Sequence, residues 1–217
     1  MKFLRFFFYH LYHAFAWAYD LVAAVVSVGR WHDWVLTALP YLDGPRVLEI
    51  GHGPGHLQAA MLEKGWTVVG LDESRQMGRL AFSRLTRAQL PAALVRGQAQ
   101  SLPFEADCFD DLAATFPSEY IFEAPTLGEV YRVLRPGGKL VVVPAAWIGG
   151  GNAPDRAAAW LFRITRQGSE ITESLKERIK VPFAAAGFEV RVETMEKRSS
   201  TVLVVVAEKP ARRENPI

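Results

Sequence analysis

Residues 47–57 read Val47-Leu48-Glu49-Ile50-Gly51-His52-Gly53-Pro54-Gly55-His56-Leu57, an apolar run that passes through three glycines into the start of a helical stretch. The residues before Gly51 fit a buried strand. Glycine at 51, 53 and 55 admits backbone angles closed to other residues and lets a ligand approach without a Cβ in the way. The helix that follows offers unsatisfied N–H groups toward a carboxylate or phosphate. The next strand ends at Asp72, 23 positions beyond Glu49, where a carboxylate can accept hydrogen bonds from both hydroxyls of a ribose. In an open α/β sheet the ligand sits outside the carboxyl ends of the strands, where both features fall.

The same alternation continues down the chain. Strands are expected at 46–50, 67–71, 93–96, 110–115, 139–144, 188–196 and 201–208, with helices at 56–64, 74–86, 124–134 and 174–186. Short β-branched runs alternating with helices indicate βαβ units and a parallel sheet. The last two strands have no helix between them, and Lys197-Arg198-Ser199-Ser200 can turn the chain into an antiparallel pair. The expected fold class is α/β: a three-layer Rossmann-like sandwich with a seven-stranded, mostly parallel sheet, an antiparallel last strand and an N-terminal helical lid. The expected organisation is an aromatic lid segment over 1–42, a main domain over 43–209 and a disordered tail over 210–217. An insertion over 145–172, with Trp160 and Phe162, has the length of a substrate lid.

Composition narrows the function. Of 217 residues, 50% are hydrophobic and 22% charged, so the chain is globular. Lys plus Arg exceed Asp plus Glu by only two, 25 against 23, which argues against a nucleic-acid partner. A lone cysteine, Cys108, fits a reducing, cytoplasmic setting and rules out a Cys-rich zinc site. His10 and His13 share a helix face but lack the further donors zinc needs, so no metal is expected. Twelve of the 25 aromatic residues lie between Phe3 and Tyr41. That stretch is broken by His10, His13 and Asp20, too early for a membrane span. It reads either as packing helices or as an aromatic cover for greasy ligands, with peripheral membrane contact left open.

The acidic residue two places before a G-x-G-x-G loop resembles the first motif of the class I S-adenosylmethionine-dependent methyltransferases. Three further passages carry the resemblance over about residues 46–145: Val68-Val69-Gly70-Leu71-Asp72, Gly97-Gln98-Ala99-Gln100-Ser101-Leu102-Pro103-Phe104, and Glu129 to Gly138. Within that family, Tyr19-Asp20-Leu21 together with Leu102-Pro103-Phe104 and Leu134-Arg135-Pro136-Gly137-Gly138 looks like the ubiquinone/menaquinone-biosynthesis group and its small-molecule relatives.

The resemblance implies S-adenosyl-L-methionine as cofactor, S-adenosyl-L-homocysteine as product and a small-molecule methyl acceptor. Gly51, Gly53 and Gly55 would line the methionine part, with Glu49 near its amino group or bracing the loop. Asp72 would hold the ribose, Glu73 and Met77 would flank ribose and adenine, and Gln98 and Ala99 would meet the adenine edge. Glu73 and Met77 are read equally well as a solvated turn carboxylate and a helix core residue. Gln98 departs from the family, where Asp is usual; its amide can still accept from an amine but carries no charge. Phe116 would border the sulfonium, and Tyr19 would cap the site or simply pack. The sulfonium makes the methyl group electrophilic, so the protein has mainly to align a nucleophile and exclude water. A base would help a hydroxyl acceptor; His52 and Tyr120 are the candidates, and His52 alternatively is an exposed loop residue touching the cofactor.

The expected activity is methyl transfer to a small hydrophobic or aromatic acceptor: a quinone precursor, a phenol or a lipid-like molecule. The glycine loop and Asp72 also fit an NAD-dependent oxidoreductase. A noncatalytic S-adenosylmethionine-binding module with an aromatic docking face is the third reading.

Overall fold

The computed structural model describes residues 29–148, 172–197 and 200–211. Seven strands, β1 (Arg46–Ile50), β2 (Thr67–Asp72), β3 (Leu94–Arg96), β4 (Phe109–Thr115), β5 (Leu134–Ile148), β6 (Glu189–Lys197) and β7 (Ser200–Glu208), form one sheet in the order β3-β2-β1-β4-β5-β7-β6. β1 to β5 run parallel, and β7 is antiparallel to both its neighbours. The sheet thus has the composition read from the sequence, with β7 inserted between β5 and β6. Residue chemistry explains that order: Val202 to Ala207 is an unbroken apolar run, all of it buried, and needs cover on both faces. β6 carries Glu189, Arg191, Glu193 and Glu196 and takes the exposed edge, where charge discourages further pairing.

Among the described residues five helices cover the sheet: α1 (Trp31–Val35), α2 (His56–Glu63), α3 (Arg75–Arg87), α4 (Ala124–Val133) and α5 (Glu173–Ala185). Trp34 and Val35 of α1, Leu57 and Met61 of α2 and Leu85 of α3 pack on one face. Leu127 and Val130 of α4 and Phe183 of α5 pack on the other. Two helix starts are capped as their sequences suggest: Ser74 Oγ accepts from Met77 N–H at 3.3 Å, and Thr172 Oγ1 accepts from Leu175 N–H at 3.2 Å.

Two elements differ from the sequence reading. β5 extends on both sides of the expected 139–144. Its start is a bulge, since Phe109 pairs with Leu134 and the next pairing is Asp111 with Lys139, leaving Pro136-Gly137-Gly138 looped out. Its far half pairs with β7 beyond a second irregularity between Val142 and Ala145, where Pro144 has no N–H to give the ladder. The helix expected over Trp31–Leu42 is α-helical only to Val35 and continues as a 3-10 helix, Leu36–Tyr41, that contains Pro40.

This N-terminal stretch belongs partly to the core. Trp34, Val35, Ala38 and Leu42 are buried, and the Trp34 indole N–H donates to Ser200 Oγ at 2.9 Å. Most of the expected aromatic lid, including Tyr19, lies outside the described residues, as do Trp160 and Phe162 of the insertion and most of the tail. Among the described residues, no helix is long and apolar enough to cross a membrane.

Candidate active site

The carboxyl ends of β1, β2 and β4 meet at the glycine loop. Gly51 N–H donates to Leu71 O at 2.7 Å, so the chain leaving β1 stays tied to β2, and Gly55 N–H closes the turn on His52 O at 3.0 Å. Gly51, Gly53 and Gly55 all hold left-handed φ angles, between +52° and +80°. A Cβ on Gly51 would lie 2.4 Å from the hydroxyl of Tyr120, which stands in the 3-10 turn Glu119–Phe122 after β4. Tyr120 is therefore brought to the loop by tertiary structure, 69 positions away along the chain. Asp72, at the tip of β2, accepts from Gly53 N–H at 2.9 Å with one oxygen and from Ser74 N–H at 2.8 Å with the other. One carboxylate so fixes both the loop and the first turn of α3.

Beneath the loop lies a buried polar cluster. Glu49 is 1% exposed and its Oε2 has no hydrogen-bond partner among the described residues. Gln58 of α2 is fully buried with both amide atoms likewise unpartnered, and it presses on β2 where Gly70 leaves room: a Cβ there would fall 2.3 Å from Gln58 Nε2. Burial, and then the nearby Asp72 carboxylate, push the Glu49 carboxyl well above its ordinary range, against a hydrogen bond from Gln58 N–H. His52 is buried too, which removes the exposed-loop alternative; its Nδ1 stands 2.7 Å from Gly53 O. With Gly53 O as acceptor, Nδ1 carries the proton and Nε2 is left basic. Burial draws the His52 pKa down, opposed by Asp72 and by the Gly53 hydrogen bond.

Toward β3 the rim is polar. Gln98 Nε2–H donates to Glu73 Oε1 at 3.1 Å, Arg96 Nε–H donates to Glu73 O at 3.0 Å, and Gly97 N–H donates to Asp72 O at 3.2 Å. Glu73 and Gln98 thus share one exposed edge, with the Gln98 amide nitrogen already committed. Met77 and Ala99 are buried behind it. The 102–104 loop is held by α4: Glu129 accepts from Leu102 N–H at 2.8 Å, and the Arg132 guanidinium donates to Leu102 O at 2.9 Å and Phe104 O at 2.7 Å while pairing with Glu129. Those contacts give a physical reason for Glu129 and Arg132 in that motif.

The opposite rim is aromatic. Phe116 ends β4 at φ +48°, and its N–H donates to Val143 O at 2.7 Å. Its ring lies 4.4 Å from that of Trp31 and 6.2 Å from that of Trp34, both on α1. Trp31 and Val35 face Glu49, Gly51, Gly53 and Thr115 across a narrow cleft. Trp31, Gln58 and Thr115 were not singled out from sequence. Gly70 inside β2 was the available signal for Gln58, because a glycine within a strand marks a close approach; nothing local distinguished Trp31 from the other aromatics around it.

Residues 47–138 match the family model described as a methyltransferase domain. Sheet order, glycine loop and acid-tipped β2 agree with that match, and this core is similar to the class I S-adenosylmethionine-dependent methyltransferases. The chain is 34% identical to the demethylmenaquinone methyltransferase of Renibacterium salmoninarum over 57% of its own length and 52% of that protein's. It is 38% identical to the protein of the same name from Beutenbergia cavernae, again over 57% and 52% of the two chains. It therefore spans about half the length of these curated relatives. In fold it is similar to the crystal structure of a SAM-dependent methyltransferase from Aquifex aeolicus, with a TM-score of 0.56 at 16% identity over 82% of this chain and 89% of that one.

Proposed function

We propose that the protein transfers the methyl group of S-adenosylmethionine to a small hydrophobic or aromatic acceptor, such as a quinone precursor, a phenol or a lipid-like molecule. The observation that carries this reading is the pairing of a polar and an aromatic rim across one glycine loop: Asp72 and Glu73 on one side, Trp31 and Phe116 on the other. The residues present fit the donor. Asp72 is an acceptor for a ribose diol, Gln98 and Ala99 flank the place for the adenine, and Gly51, Gly53 and Gly55 leave backbone open to the methionine part. The orphaned Oε2 of Glu49 is a buried acceptor for an ammonium group. When bound, this cofactor supplies an electrophilic methyl group; the chain's own contribution is to orient the acceptor and exclude water.

The aromatic rim favours a flat, apolar acceptor, and the relatives named for demethylmenaquinone suggest a quinone precursor. Of the two base candidates, Tyr120 places its hydroxyl over Gly51, and His52 retains a basic Nε2 under the loop. A cytoplasmic enzyme of this kind would meet a greasy acceptor at a membrane surface, with the aromatic residues before Gly29 as the contact.

Calorimetric titration with S-adenosylmethionine, S-adenosylhomocysteine and NAD tests the donor; binding of NAD alone would refute the reading. A screen of demethylated quinones, phenols and lipids with labelled methyl donor then identifies the acceptor. Transfer confined to polar amines would refute the proposed acceptor class.

A further inference from the structure

The residues around the cleft pose an electrostatic question. The proposed donor is a cation at its sulfonium, yet the carboxylates nearest the cleft are poorly placed to neutralise one. The Asp72 carboxylate is directed at Gly53 N–H, Ser74 N–H and the ribose proposed for it, and the Glu49 carboxyl is held toward its neutral form by burial. Among the described residues no Lys or Arg lines the cleft, and Arg84 donates to Pro54 O in the loop. What the cleft does present is a fixed aromatic surface. Trp31 stacks on Phe116 with ring planes 33° apart, Phe116 is pinned through its N–H to Val143 O, and Trp34 braces Phe116 while anchored to Ser200 Oγ at 2.9 Å. Ring faces carry negative quadrupole potential and attract a cation within about 6 Å, Trp most strongly.

We propose that Trp31 is a specificity-determining residue of the donor site, whose indole recognises the positive charge of S-adenosylmethionine and so ranks it above the uncharged product S-adenosylhomocysteine. The two ligands differ only at the sulfur, by one methyl group and the positive charge it brings; a leucine in place of Trp31 keeps apolar contact with that methyl, so a change in their ratio on that substitution reports the charge. Substrate is then retained and product released by the same surface, which lowers product inhibition. This inference rests on the proposed donor site, and its test separates the two.

The experiment is calorimetric titration of the full chain, wild type, Trp31→Leu and Trp31→Phe, with S-adenosylmethionine and separately with S-adenosylhomocysteine. Leucine keeps apolar contact and removes the quadrupole; phenylalanine keeps a weaker one. Trp31→Leu is expected to weaken S-adenosylmethionine about tenfold and S-adenosylhomocysteine less than about twofold, with Trp31→Phe in between. Equal weakening of both ligands, or no change in either, overturns the proposal while leaving the donor site standing. Failure of the wild type to bind either ligand overturns the donor site and the proposal with it. If Trp31→Leu does not fold, the Trp31→Phe ratio decides alone: a shift toward S-adenosylhomocysteine supports the proposal and an unchanged ratio overturns it.

Discussion

Replacing Gly51 by alanine tests how the loop is built, because two separable costs meet at that atom. The residue sits at φ +68°, a left-handed angle that costs an L side chain about 1–2 kcal/mol. The new Cβ would also lie 2.4 Å from Tyr120 Oη, with the ring's Cζ next at 3.7 Å, an ordinary contact. Forcing the hydroxyl aside adds about 1–3 kcal/mol of overpacking, so Gly51→Ala is expected to cost about 2–5 kcal/mol in all. In a domain of this size that lowers Tm by about 4–20 °C. Tyr120→Phe removes the obstructing oxygen, and in the Gly51→Ala background it should recover about 1–3 kcal/mol, the overpacking share alone. A double-mutant cycle by urea denaturation measures this directly, with a coupling of at least about 1 kcal/mol expected. Additive single effects would show that the Tyr120 hydroxyl does not stand over Gly51, and would remove Tyr120 from the site.

Asp72→Ala deprives Gly53 N–H and Ser74 N–H of their acceptor, so it should weaken S-adenosylmethionine at least tenfold while Glu208→Ala leaves the affinity unchanged; equal affinities would misplace the ribose. Arg132→Ala frees the Leu102 and Phe104 carbonyls and should cost about 2 kcal/mol of stability, read as a lower urea midpoint at unchanged slope, and no change would refute the clamp. The His52 pKa is drawn down in the folded state, so between that lowered value and about 6.5 the unfolded chain binds more protons. Stability is therefore complete above about pH 6.5 and falls as pH drops through that window, and His52→Gln should flatten that limb of a stability-against-pH curve. An unchanged limb would show that the ring is not buried.

Much of the sheet was legible because the signals were local. β1 and β2 are mostly apolar runs closed by Gly51 and Asp72, β4 carries the buried run Leu112-Ala113-Ala114 before Phe116, and Gly65, Gly137 and Gly187 hold left-handed angles where turns were expected. The length of β5 was hidden, since Pro136-Gly137-Gly138 and Pro144 read as breaks and only pairing with β4 and β7 shows that they are bulges within one strand. Within the site, Asp72 and the glycines were readable from spacing. Tyr120, Gln58 and Trp31 were not equally so, because each reaches the loop from a different element. The buried state of His52 was hidden for a similar reason: it follows from Gly70 on the neighbouring strand, whose missing side chain leaves space for both the imidazole and Gln58.

The hydrogen bond from Trp34 to Ser200 has a consequence for how the molecule opens. It joins a helix that precedes the first strand to the first residue of the last one, 166 positions away in sequence. The aromatic rim and the β5–β7 ladder therefore form one cooperative unit. Amide protons of Trp34 and Val202 should exchange with solvent together, at the rate of global unfolding, while the polar rim at Glu73 and Gln98 exchanges independently. A ligand seated between the rims would then bridge a part of the protein that breathes and a part that does not.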